Sequence, residues 1–211
     1  ISSFHNDKGE LLIEGLTPTE QDVFELSDEF VKSSLSSTGV NLFEMDSYSK
    51  RLWLEPALSI LAIDAPPVAE SVNLLIPKAK AKVSLRLPPT EDPDHAMNML
   101  EQHIKENTPF NANVEFIPEA KGKGILVDPK NEFSSKLIES FNKYWENEVA
   151  YMGVGGSIPF ANVFINEFPN SEIVLVGAGD EEGNAHAPNE SVNISDIQRL
   201  IDSLTDAISN Y

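Results

Sequence analysis

The sequence contains no cysteine. That excludes disulfides, thiolate metal sites and a thiol nucleophile, and leaves His, Asp and Glu as the strong metal ligands. No apolar run approaches the roughly 20 residues a membrane-spanning helix needs, and no signal peptide is visible. Positive charge is scarce: 15 Lys and Arg stand against 34 Asp and Glu, for a formal charge of −19. Nucleic acids and anionic membranes are held by clustered cations, so neither is an expected partner. These absences together give a cytoplasmic location as the expectation.

What is present is ordinary for a globular protein. At 211 residues, 41% of them hydrophobic, the chain suits one large domain or two small ones and can bury a core. It starts at Ile1-Ser-Ser-Phe4, without Met, and runs straight into the turn His5-Asn-Asp-Lys-Gly9, as if entered mid-fold. There are no internal repeats or low-complexity segments.

Leu11–Ile13 reads as a strand or hairpin arm. Thr17-Pro-Thr-Glu20 has the form of a helix start, predicting a helix from 18 to about 34. A short helix is expected within 42–54. Leu58–Asp64 reads as a strand ended by Pro66-Pro67, and a second strand pattern runs from Leu74 to Leu87 with a break at Pro77. There Lys78, Lys80 and Lys82 alternate with Ala79, Ala81 and Val83, placing the lysines on one face. Asp92-Pro93 opens a helix to about Asn107, with Ala96, Met99, Leu100 and Ile104 as its buried stripe. Val114–Ile117 reads as a third strand. After Gly122-Lys-Gly124, helices are expected at 131–147, 157–168 and 194–208, with strands at 149–152 and 173–177. Helix alternating with strand suggests a sheet with helices packed on it.

Four places could carry chemistry. In Gly153-Val-Gly-Gly-Ser157 the glycines allow close approach of backbone N–H groups, and a following helix would aim its positive end at an anion. The blander reading is a tight strand-to-helix turn with Ser157 as a plain helix cap. Val174-Leu-Val-Gly-Ala-Gly179 has the start of a dinucleotide turn, but Glu182 stands where the third Gly belongs, and Asp180–Glu182 would repel a pyrophosphate. His186 lies in a loop after a strand, beside Asn184, Asn189 and Glu190, and offers an imidazole to a metal. His95 and His103, eight apart on one helix, read as solvated. Arg86, at the end of its strand before Pro88-Pro89, suits bidentate carboxylate recognition, or is a sheet-edge surface arginine. Asn73 stands at that strand's other end.

Asn73-Leu-Leu-Ile-Pro77, Ala81-Lys-Val-Ser-Leu-Arg-Leu-Pro-Pro89, Gly155-Gly-Ser-Ile-Pro159 and Ala185-His-Ala-Pro-Asn-Glu190, in this order, resemble the C-terminal half of a zinc-dependent dipeptidase. The family is the one holding carnosinases, aminoacylases, glutamate carboxypeptidases and succinyl-diaminopimelate desuccinylase, and the Gly-Gly-Ser-Ile-Pro and His-Ala-Pro-Asn-Glu pair resembles its dipeptidase branch. The resemblance implies an α/β (α+β) chain. Residues 1–54 would be the end of a lid helix and a linking segment. Residues 55–119 would be an incomplete ferredoxin-like lid, or dimerisation, domain, and 120–211 the C-terminal part of the catalytic domain. It further implies His186 as a metal ligand and Gly156 and Ser157 as a grip on the substrate's carboxylate. Asn73 and Arg86 would reach the substrate, in the partner subunit's site.

The implied activity is metal-assisted hydrolysis of dipeptides or related small amides by a homodimer. Two zinc ions per complete site are implied, though other divalent metals suit an imidazole. The general base and most ligands belong upstream, so the chain alone is expected to be inactive. Glu181-Glu182 does not match the family's Glu-Glu pair. Many relatives carry Arg at the position of Gly153, which would leave that part of the clamp to Arg86. Two other readings use the same residues: a non-catalytic dimerisation module, and a small-anion binder built on Gly155–Ser157.

Overall fold

The computed structural model describes residues 1–35, 45–126, 128–153, 159–168, 170–179, 183–185 and 187–211. The chain is mixed α/β with a small sheet and divides into two compact units, Ile1–Ile125 with Met152–Ser157, and Leu126–Tyr151 with Ile158–Tyr211.

The first unit is built on an antiparallel pair, β1 (Ala57–Asp64) and β2 (Lys80–Arg86), in register from Ala57↔Arg86 to Asp64↔Lys80. The register shifts between Ile60 and Ala62. Strand alternation turns Val83 and Leu85 toward a core formed by Phe4, Ile13, Leu58 and Leu100. Phe4 and Ile13 come from a small N-terminal hairpin, closed by the bridge His5↔Leu11 and by Gly9 at φ 73°. Leu100 comes from α3 (Pro93–Glu106), whose buried residues include Ala96. Asp92 caps α3 as its sequence promised: its carboxylate accepts the N–H of Asp94 and of His95, each at 2.9 Å, with Pro93 in the first turn.

Those bonds, the one from His95 first, hold the Asp92 carboxyl below the usual aspartate range. A lowered folded-state pKa adds stability above the unfolded value, and this is lost as pH falls through the folded one. Asn caps as well as Asp but does not titrate. Asp92→Asn is therefore expected to flatten the acid side of the stability curve, measured as Tm between about pH 2 and 6. An unchanged acid limb refutes this role.

Several expectations fail here. Thr17 does not start a helix, because Thr19 is committed elsewhere. Its N–H donates to Leu54 O at 2.8 Å and its hydroxyl bonds Thr90 Oγ1 at 2.7 Å. The helix begins later, as α1 (Asp28–Leu35). The short helix expected within 42–54 is α2 (Tyr48–Trp53), capped by Ser47 and tied down by buried Ser49, which accepts the N–H of Leu26 at 2.8 Å. Residues 74–79 and 114–117 form no strand, although Phe116 still packs on the core and Glu119 pairs with Lys82 at 2.6 Å. His103 is buried rather than solvated: it stacks on Phe4 at 5.5 Å and bonds Ser3 O through Nε2 at 3.0 Å. His95 pairs through Nδ1 with the buried Glu91 at 2.8 Å.

The second unit contains α4 (Glu132–Tyr144), α5 (Pro159–Glu167) and α6 (Ile194–Ser209). Helices α4 and α6 pack through small buried residues, Ser140, Ser203 and Ala207, with Leu137 beside them. Asp206 locks the pair, accepting from Lys143 Nζ at 2.9 Å and Ser140 Oγ at 3.1 Å. The ammonium of Lys143 keeps the Asp206 carboxyl below the usual range. Asn131 does not cap α4 with its side chain; Glu172 does so from a distance, accepting the N–H of Phe133 and Ser134 at 3.1 and 2.6 Å. Among the described residues of this unit there is no strand, so 149–152 and 173–177 lack the hydrogen-bonded form their composition predicts.

Candidate functional site

Arg86 closes β2, opposite Ala57. Because Val83 and Leu85 face the core, alternation puts Lys82, Ser84 and Arg86 on the other face. The Arg86 side is exposed, and among the described residues it makes no ion pair. Its five-donor fork is thus available to a carboxylate. The turn that follows is fixed by close packing. A Cβ added to Gly124 would lie 2.6 Å from Pro89 Cα, so only glycine lets these two stretches of backbone meet. Asn73 is exposed, on the segment between β1 and β2 beyond the Asp64↔Lys80 rung. Six residues of strand separate that rung from Arg86, about 20 Å at the usual rise per residue. The ladder therefore sets Arg86 and the Asn73 segment at opposite ends of β2.

Gly156, Ser157 and His186 lie outside the described residues, and their flanks are informative. Helix α5 starts at Pro159, directly after the glycine-rich stretch. Gly153 is pressed against α2: a Cβ there would sit 2.4 Å from Cγ of Trp53. An Arg at 153, as in many relatives by the resemblance, could enter only if Trp53 moved. Sequence reasoning had no signal for Trp53, which is more than ninety positions away. Around His186 the loop is closed by Ala187 N–H to Asn184 O and Ser191 N–H to Gly183 O, both 2.9 Å. Asn184 and Asn189 take left-handed backbone, φ 50° and 64°, which Asn tolerates better than most residues.

A family model described as the peptidase dimerisation domain of the M20 type matches residues 3–112, just over half of the chain. The chain belongs to this family. Beyond the M20 dimerisation domain, the resemblance extends to the C-terminus. A cysteinylglycine-S-conjugate dipeptidase from Corynebacterium striatum is 27% identical over 210 residues, covering 95% of this chain and 45% of that protein. Two solved structures share the fold at a TM-score of 0.74 and 22% identity, each over 98% of this chain. A metallo-carboxypeptidase of the M20 family from Sulfolobus solfataricus is covered over 49% of its length, and a dipeptidase from Saccharomyces cerevisiae over 46%. Human carnosine dipeptidase 1 matches at 0.71 and 18% identity, with 48% of it covered. The chain thus spans about half the length of the relatives it matches.

The M20 match includes Asn73 and Arg86 and stops well before Ser157 and His186. Among the described residues no three His, Asp or Glu side chains converge to hold a metal ion. A catalytic zinc takes about three protein ligands. The described part of this chain therefore does not make a metal centre by itself.

Proposed function

We propose that this chain is the lid and the C-terminal catalytic portion of a metal-dependent dipeptidase. The observation that carries the reading is the M20 dimerisation-domain match, continued to the end of the chain by a relative named as a dipeptidase. Within this reading, residues 1–54 are the end of a lid helix and a linking segment, 55–119 are lid, and 120–211 are the C-terminal part of the catalytic domain. The substrate is a dipeptide or a related small amide. Arg86 orients its carboxylate, since a guanidinium makes two parallel charge-assisted bonds to a carboxylate. Gly156 and Ser157, which precede α5 in the sequence, grip the same carboxylate through their backbone N–H groups. Asn73 and Arg86 both reach the substrate from a partner protomer. His186 supplies one imidazole to a metal, zinc by the family's habit, with two ions in the complete site. When bound, such a metal supplies a Lewis acid and an activated water. The other ligands and the general base come from the remainder of the protein. The assembly is a homodimer through the lid, and the location cytoplasmic.

The test is a panel of unprotected dipeptides offered to the full-length protein with zinc, then with a chelator. Turnover that the chelator removes and zinc restores is expected. No turnover over the whole panel overturns the enzyme reading and favours the same fold acting as a dimerisation module without catalysis.

A further inference from the structure

Helix α2 is six residues long, yet it is tied to its unit at several points. Ser49 is fully buried and accepts the N–H of Leu26 at 2.8 Å. Leu54, the buried residue that ends the helix, accepts the N–H of Thr19 at its carbonyl, 2.8 Å away. Arg51 pairs with Glu55 at 3.0 Å and donates another N–H to Gly9 O in the N-terminal hairpin. A helix this short is marginal by itself, so these outside bonds hold it in place. What they hold at its end is Trp53. The hydrophobic core of the unit does not include that residue, which is only partly buried. Core packing therefore does not account for where it stands.

Its contact with Gly153 does. The three atoms nearest a Cβ built on Gly153 all belong to Trp53: Cγ at 2.4 Å, Cβ at 2.5 Å and Cδ1 at 2.8 Å. Contact at the root of a side chain fixes the glycine backbone, because neither partner has a flexible end to swing aside. Little else fixes it. Tyr151 and Met152 are 49% and 58% exposed. Among the described residues no backbone hydrogen bond reaches Met152 or Gly153. Three peptide units separate Gly153 from Gly156, so a shift at Gly153 is carried into the residues that follow.

We propose that Trp53 is the positioning residue of the carboxylate grip: its indole sets Gly153, and Gly153 sets where Gly156 and Ser157 can stand. This rests on the dipeptidase reading above, and adds a residue outside every motif that carries the resemblance. Trp53 itself touches neither substrate nor metal in this account. The test is steady-state kinetics of the full-length protein with zinc, on an unprotected dipeptide that the wild type turns over. Trp53→Gly, Gly153→Ala and the double variant form a cycle. Trp53→Gly removes all three contacting atoms, whereas Trp53→Phe keeps an atom at each of those places. Leu52→Ala, 44% exposed on the same helix, is the control. Circular dichroism checks that each variant folds.

A grip made equally in ground and transition state shows in KM and leaves kcat alone. Trp53→Gly and Gly153→Ala are each expected to raise KM about ten-fold, the worth of one charge-assisted hydrogen bond, with kcat little changed. Trp53→Phe and the control should match wild type. The double variant should stay near ten-fold, because alanine at 153 meets nothing once the indole is gone. A double variant near a hundred-fold, the product of independent effects, overturns the contact as the route. A fall in kcat at unchanged KM marks Trp53 as structural and overturns the proposal, and so does a KM that no variant moves; both leave the dipeptidase reading standing. If Trp53→Gly does not fold, Gly153→Ala decides, since it keeps the indole: a raised KM upholds the role and an unchanged one overturns it. A wild type that turns over no dipeptide overturns the dipeptidase reading and the positioning role with it.

Discussion

The isolated 211-residue chain is expected to hydrolyse no dipeptide, even in excess zinc, whereas the full-length protein turns it over. Rate enhancements by enzymes run from about a million-fold upward, most of it from charge stabilisation at a preorganised site. A catalytic zinc needs about three protein ligands to sit in a fixed geometry. Among the described residues none of the required clusters forms, and His186 brings a single imidazole. A guanidinium such as that of Arg86 can hold a carboxylate without acting on the amide. Uniform binding of a substrate does not accelerate its reaction. The measurement is release of free amino acid from a dipeptide panel by the purified chain and by the full-length protein, at equal concentration. Robust turnover by the chain alone overturns the division of the site between this chain and the rest.

How far the sequence could be read depends on where each signal is satisfied. Helices that carry their own apolar stripes were legible. Asp92-Pro93 starts α3 as expected, α4 falls inside its predicted span, and α6 overruns its own by one residue. Thr17-Pro-Thr-Glu20 is the counter-example. The same residue types, capable of capping, are held by Leu54 and Thr90, and tertiary bonds outweigh a cap worth about 1 kcal/mol. Strands are legible only where the neighbour is present. Leu58–Asp64 and Ala81–Arg86 find each other. Residues 173–177 are as apolar but have no described partner, and the relatives are about twice as long as this chain.

Distant partnerships left no trace in local pattern: Glu172 capping α4, Trp53 blocking position 153, and Phe4 covering His103. For the site, Arg86 was legible as a strand-end arginine, and the ladder adds that it stands clear of the core. The expectation that Gly156, Ser157, His186, Asn73 and Arg86 serve one substrate is carried by the resemblance alone, since no local rule links positions so far apart.

Replacing His186 by alanine in the full-length protein is expected to remove metal and activity together, and to leave the fold intact. The loop around it is closed by backbone bonds, Ala187 to Asn184 and Ser191 to Gly183, which no side chain at 186 contributes to. Asn184 and Asn189 supply its left-handed turns. Alanine at 186 should therefore cost little stability, so the thermal midpoint should stay within a few degrees of wild type. Removing a mere hydrogen-bond partner of a ligand already costs about 10–100-fold in metal affinity or activity. Loss of the ligand should exceed about a hundred-fold in kcat/KM, and bound zinc per folded protein should fall in parallel. Metal content by elemental analysis separates the two roles of a histidine. A structural imidazole would lower the midpoint and leave zinc per folded molecule unchanged. A variant with wild-type zinc content and wild-type turnover removes His186 from the metal site. The small-anion reading of Gly155–Ser157 would then be the stronger one.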